Sequence, residues 1–120
     1  MRRILVVDDD EGIAKFLANR LAEEGFSTET AGDGVEAVLK VADNQWDALL
    51  MDIRMPKLDG LNALRIIRRL KPDLRVVMFS GAANNNEMIM STRLGADICM
   101  LKPINLEALV NTLKDFFKQP

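Results

Sequence analysis

The 120-residue chain contains no histidine. That removes imidazole acid–base catalysis, imidazole metal ligation and phosphohistidine chemistry within the chain. Tyrosine is also absent, and aromatic residues make up only 5% of the sequence. The single cysteine, Cys99, cannot close an internal disulfide, which suits a reducing cytosol. No apolar run approaches the ~20 residues that a membrane-spanning helix needs. Only Ile4, Leu5, Val6 and Val7 separate the N-terminal arginines from the first aspartate, too short an apolar stretch for a signal peptide. The net charge of −2 gives no bulk attraction to nucleic acid or anionic lipid. We find no linker, low-complexity tract or internal repeat.

What is present fits one soluble α/β domain over residues 1–120, with 48% apolar and 28% charged residues. Short apolar runs at Ile4–Val7, Phe26–Thr30, Ala48–Met51, Arg75–Phe79 and Ile98–Leu101 predict five strands. Each is followed by a helical period. Ile13, Phe16, Leu17 and Leu21 share a predicted face, as do Val35, Val38, Leu39 and Ala42. Ala63, Ile66, Ile67 and Leu70 repeat the pattern, and Leu106, Leu109, Val110 and Leu113 close it. A fourth, weakly periodic helix is expected from Asn85 to Leu94, with an asparagine cluster at its start and Gly95 beyond its end. Asp10, Asp33 and Asn105 are expected N-caps, and Gly25 a helix terminator. Five βα units imply a mostly parallel sheet covered on both faces. The alternating "FSTET" suits an edge strand.

In such a sheet, ligands bind beyond the carboxyl ends of the strands. Asp8 and Asp9 follow the first strand, in "VVDDDEG". Asp52 follows the third in "LLMDIRMPKLDG", Ser80 the fourth in "VMFSGA", and Lys102 the fifth in "CMLKPI". Clustered carboxylates favour a hard divalent cation such as Mg²⁺. A carboxylate such as Asp52 is a competent nucleophile toward phosphorus. Lys102 and Ser80 would then meet phosphoryl oxygens. Any one of these groups alone reads as a cap or a solvated turn; together, at four strand ends, they have complementary roles.

"ILVVDDDE", "LLMDIRMPKLDG", "MFSGA" and "LKP", in this order, resemble the receiver domain of two-component response regulators from Arg3 to about Phe117. The resemblance implies a flavodoxin-like (βα)5 sandwich with strand order 2-1-3-4-5. It makes Asp52 the phosphoacceptor, Asp9 a direct Mg²⁺ ligand and Asp8 a ligand mainly through water. The Arg54 backbone carbonyl would complete the protein's share of the coordination. Ser80 becomes the switch hydroxyl, Lys102 the partner of the phosphoryl group, and the Lys102–Pro103 bond is expected to be cis. The implied partners are a sensor histidine kinase or histidine phosphotransfer protein, and a downstream target or fused output domain. The latter would use the face of the fourth helix, fifth strand and fifth helix. The implied location is the cytoplasm. Beyond self-catalysed phosphorylation and dephosphorylation of the aspartate, no enzymatic activity is implied. No effector domain follows Pro120, which fits either a stand-alone receiver or one cut from a longer regulator.

Cys99 departs from the family, which usually has tyrosine or phenylalanine three residues before the lysine. A small, partly buried, inert thiol is expected there. Arg54, two residues after Asp52, could contact the phosphoryl group, hinder the attacking water or point to solvent. Gly81 leaves space beside the acceptor. Met88, Met90 and Met100 fall on the partner face, with at least one expected to pack beneath a helix. The basic run "RIIRRLK" fits a helix C-terminus, and Trp46 is expected to seat the third strand. A haloacid-dehalogenase-like phosphohydrolase would need a second aspartate where Arg54 stands. A nucleotide-binding fold would want glycines after the first strand. A phosphorylation-independent interaction module remains the alternative, although such modules usually lose an acid or the lysine.

Overall fold

A computed structural model describes residues 1–81 and 85–118. Ala82 of "MFSGA", Asn84 of the asparagine cluster and Pro120 lie outside the described residues. Strands β1 (Arg3–Val7), β2 (Ser27–Ala31), β3 (Ala48–Asp52), β4 (Arg75–Ser80) and β5 (Ile98–Leu101) alternate with five helices. These are α1 (Glu11–Glu23), α2 (Gly34–Asp43), α3 (Gly60–Leu70), α4 (Asn85–Arg93) and α5 (Leu106–Phe116). All strand pairings are parallel, in the order β2-β1-β3-β4-β5. The fold is the expected flavodoxin-like one, with the alternating β2 at an edge.

The strand period of two divides the core between the two faces of the sheet. Leu5, Val7, Leu49, Met51, Val76 and Met78 point to the face covered by Ala37 and Val41 of α2 and by Ala63, Leu64 and Ile67 of α3. Ile4, Val6, Ala48, Leu50, Val77 and Phe79 point to the opposite face, under Leu17 and Leu21 of α1 and Leu109 and Leu113 of α5. The near-continuous apolar reading of the central strands follows from this double coverage.

Leu17, Leu21, Ala63, Ile67, Leu109 and Leu113 are buried as expected, but the faces of α1, α2 and α3 are rotated from the rest of the expected set. Ile13, Phe16, Val35, Leu39, Ile66 and Leu70 are exposed, and Ala42 is too. The buried stripes are Ala14, Leu17, Ala18 and Leu21 in α1, Gly34, Ala37 and Val41 in α2, and Gly60, Ala63, Leu64 and Ile67 in α3. Small residues let the helix backbones approach the sheet closely, so area per side chain is a poor guide to which face is buried.

Helix ends follow local chemistry. Asp10, Asp33 and Asn105 accept hydrogen bonds from the backbone amides of Ile13, Glu36 and Ala108, as expected of N-caps. Asp59 caps α3 in the same way through the Asn62 amide, a cap that sequence reading missed. After α1, Gly25 adopts φ +95°. Its N–H bonds the Ala22 carbonyl while the Phe26 N–H reaches back to Leu21, a Schellman closure. Within "RIIRRLK", Arg68 folds back to the carbonyls of Gly95, Lys71, Pro72 and Leu74, fastening the end of α3 to the turn after α4. Trp46 bonds the Lys40 carbonyl through Nε1 and stacks under Arg3, seating the start of β3.

Candidate functional site

The parallel register brings the strand ends to one level. Val7 pairs with Met51, Asp52 with Phe79 and Ser80 with Leu101. Asp8, Asp52, Ser80 and Lys102 therefore meet at the carboxyl edge of adjacent strands β1, β3, β4 and β5. Backbone bonds extend the ladders past the strands: Ile53 N–H to the Phe79 carbonyl, and Lys102 N–H to the Ser80 carbonyl. Asp8 is fixed further by accepting the Asp10 N–H at 2.9 Å. The Lys102–Pro103 peptide is cis, as expected.

Lys102 Nζ donates to Asp52 Oδ2 at 2.9 Å and to Asp8 Oδ2 at 3.2 Å. Asp8 and Asp52 are buried, at 4% and 6% exposure, whereas Asp9 opens to solvent. Burial pushes the Asp52 carboxyl above its ordinary 3.8, outweighing Lys102 and the Arg54 backbone amide, which pull it down, while the Asp8 charge adds to the rise. Burial alone would lower the Lys102 ammonium, but Asp52 and then Asp8 hold it above its ordinary 10.5.

Asp8, Asp9 and Asp52 each place a carboxylate oxygen within 4.8 Å of the others. Three carboxylates face one ammonium, so the cluster is short of positive charge. Its donors are all oxygens, in a mixed buried and solvent-open setting. That set fits a hard divalent cation that keeps some of its waters, and it does not fit a soft metal seeking thiolate or imidazole.

Ser80 is fully buried and donates from Oγ to Glu87 Oε2 at 3.2 Å. Arg54 points to solvent, one of its three anticipated positions, with its side chain 69% exposed. Its Nε and Nη2 reach Glu87 Oε1 at 2.8 and 2.6 Å. One carboxylate from the first turn of α4 thus holds both groups. Nothing in the weakly periodic α4 sequence singled out Glu87, and an acid in a first helical turn is ordinary dipole chemistry. Cys99 is half-buried against the α2–α3 side of the core, and burial pushes its thiol up, as an inert packing residue requires.

Gly60 is another residue that sequence reading missed. A Cβ there would collide with the Asp52 backbone carbonyl. The glycine ending "MDIRMPKLDG" therefore lets the first residue of α3 pack on the backbone of Asp52, and its N–H bonds the Ile53 carbonyl at 2.6 Å.

A family model for the response regulator receiver domain matches residues 4–114. Response regulator MprA of Mycobacterium sp. (strain KMS) is 37% identical over 117 residues, covering 98% of this chain and 51% of the relative. The chain thus spans about half the length of the curated relatives it matches. Among solved structures, a CheY-like receiver domain protein from Methanospirillum hungatei JF-1 superimposes with a TM-score of 0.92 at 30% identity, over 96% of this chain and 92% of the other. TrrA from Thermotoga maritima, solved in complex with Mg(2+)-BeF, gives 0.88 at 32% identity, over 98% and 100%.

Proposed function

The chain belongs to the response regulator receiver domain family, and on that premise we propose that Asp52 is the residue that accepts the phosphoryl group. The observation that carries this reading is Lys102 Nζ bridging Asp8 and Asp52 at the carboxyl edge of the sheet, with Asp9 open to solvent beside them. Residues 1–120 act as one receiver domain, and its place is the cytoplasm. No helix among the described residues is long and apolar enough to cross a membrane.

Asp8, Asp9 and Asp52, with the Arg54 carbonyl, would hold Mg²⁺. When bound, the cation supplies positive charge that lets a phosphoryl dianion approach an anionic carboxylate. The chain's own groups do the rest. An Asp52 oxygen attacks the phosphorus of a phosphohistidine on a partner kinase or phosphotransfer protein. The P–N bond breaks, and its electron pair leaves with the imidazole. Lys102, already bonded to the acceptor, stays beside the charge that moves onto the phosphoryl oxygens, and Ser80 turns its hydroxyl to another of them. Water later attacks the same phosphorus, the P–O bond to Asp52 breaks, and inorganic phosphate leaves as the Asp52 carboxylate is regenerated. Because the chain has no histidine, the donor lies on another protein or domain. Exposed Ile89, Met90 and Leu101 on α4 and β5 support a protein-docking role for that face.

Intact-mass measurement after incubation with MgCl2 and acetyl phosphate tests the assignment. A gain of one phosphoryl group is expected, lost in Asp52→Asn and with a chelator. A folded protein that gains nothing would instead favour the phosphorylation-independent interaction module.

A further inference from the structure

Glu87 lies outside the acidic cluster and outside every motif of the sequence, yet it joins two groups that flank the acceptor. Its carboxylate accepts from the Ser80 hydroxyl through one oxygen and from the Arg54 guanidinium through the other. Its side chain is only 14% exposed, although that of Arg54 is 69% exposed. A carboxylate so shielded is costly to leave without partners.

Both partners are placed to serve the acceptor. Ser80 ends the strand beside Asp52, whose register partner is Phe79. Arg54 follows Asp52 by two residues, close enough that its backbone amide favours the charged Asp52 carboxylate. A phosphoryl group on Asp52 would add three strong acceptor oxygens at this spot, and such oxygens compete directly with a carboxylate for hydroxyl and guanidinium donors.

Resting on the receiver reading above, we propose that Glu87 is a positioning residue that holds Ser80 and Arg54 away from Asp52 until phosphoryl oxygens displace it, so that α4 moves when the acceptor is loaded. Losing both partners leaves Glu87 two courses: an unpaired, shielded charge or rotation into solvent. Rotation carries the first turn of α4 with it. The small Cys99 gives the neighbouring strand no bulky ring to register that movement, and Glu87 supplies the link in its place.

The test is the affinity for beryllium fluoride, a phosphoryl mimic, measured by calorimetry in MgCl2 with thermal unfolding of every variant alongside. Because the parent must break two charge-assisted contacts on loading, Glu87→Gln is expected to bind about tenfold more tightly. In an Arg54→Ala background, where only the Ser80 contact remains, the gain from Glu87→Gln should shrink to about threefold. That coupling separates a latch from a merely structural glutamate, whose loss would lower the melting temperature without tightening the mimic. Should Glu87→Gln not fold, Glu87→Asp answers the same question. It keeps the charge but withdraws the carboxylate by one methylene, and tighter binding is again expected. Unchanged or weaker binding by the folded variant overturns the proposal. A parent protein that binds no beryllium fluoride at all would instead overturn the receiver chemistry on which the proposal rests.

Discussion

Asp52 sits between burial, which disfavours its charge, and Lys102 Nζ at 2.9 Å, which favours it; burial prevails and the carboxyl is raised. The native protein therefore holds this proton more tightly than the unfolded chain does. The stability so contributed is complete below the ordinary 3.8 and is lost as pH rises through the raised native value. Asp52→Asn has no such loss. In chelator at neutral pH the variant should be more stable than the parent by about 1 kcal/mol. The difference should close as the buffer is acidified below the ordinary carboxyl range. Urea titrations at a series of pH values would show it, and a gain that ignored pH would assign the effect to packing instead of charge. Lys102 retains Asp8 as a partner in this variant, at 3.2 Å, so the substitution does not strand the ammonium.

The junction from β3 to α3 shows how an element can serve chemistry it does not perform. Asp59 caps the helix, and Gly60 brings its first residue against the backbone of Asp52. Gly60→Ala is expected to cost about 1–3 kcal/mol, because the added methyl meets backbone that has nowhere to yield. It should also slow phosphorylation by acetyl phosphate, since the shift falls on Asp52 itself. Normal phosphorylation in a destabilised Gly60→Ala would mean the close approach serves the fold alone. The same junction marks what sequence could disclose. Strands were legible because β1, β3 and β4 are buried on both faces and read as unbroken apolar runs. Placing Asp8, Asp9, Asp52, Ser80 and Lys102 on one edge needed only those strands, the shorter run of β5 and the parallel rule. The rotation of α1, α2 and α3 was hidden because alanines and glycines share the buried stripes with Leu17, Leu21, Leu64 and Ile67 and carry little hydrophobic signal of their own. Glu87 was hidden for another reason: its bond to Arg54 spans 33 positions and depends on where the weakly periodic α4 comes to rest.

For the molecule as a whole, the central strand feeds both cores, Leu49 and Met51 to one face and Leu50 to the other, all fully buried. Leu49→Ala and Leu50→Ala should therefore each remove about 2–5 kcal/mol, a large share of the ~5–15 kcal/mol that holds a domain folded. Both should lower one shared unfolding transition, seen alike by far-ultraviolet circular dichroism and Trp46 fluorescence. Two separate transitions would show the faces to be independent. The ion pair from Lys102 to Asp8 joins positions 94 residues apart and ties the end of β1 to the end of β5. A ribosome adding ~5–20 residues per second makes the aspartate roughly 5–20 s before the lysine. Throughout that interval the nascent chain carries its acids without the cation that bridges them, so the proposed phosphoryl site is complete only when β5 closes the sheet.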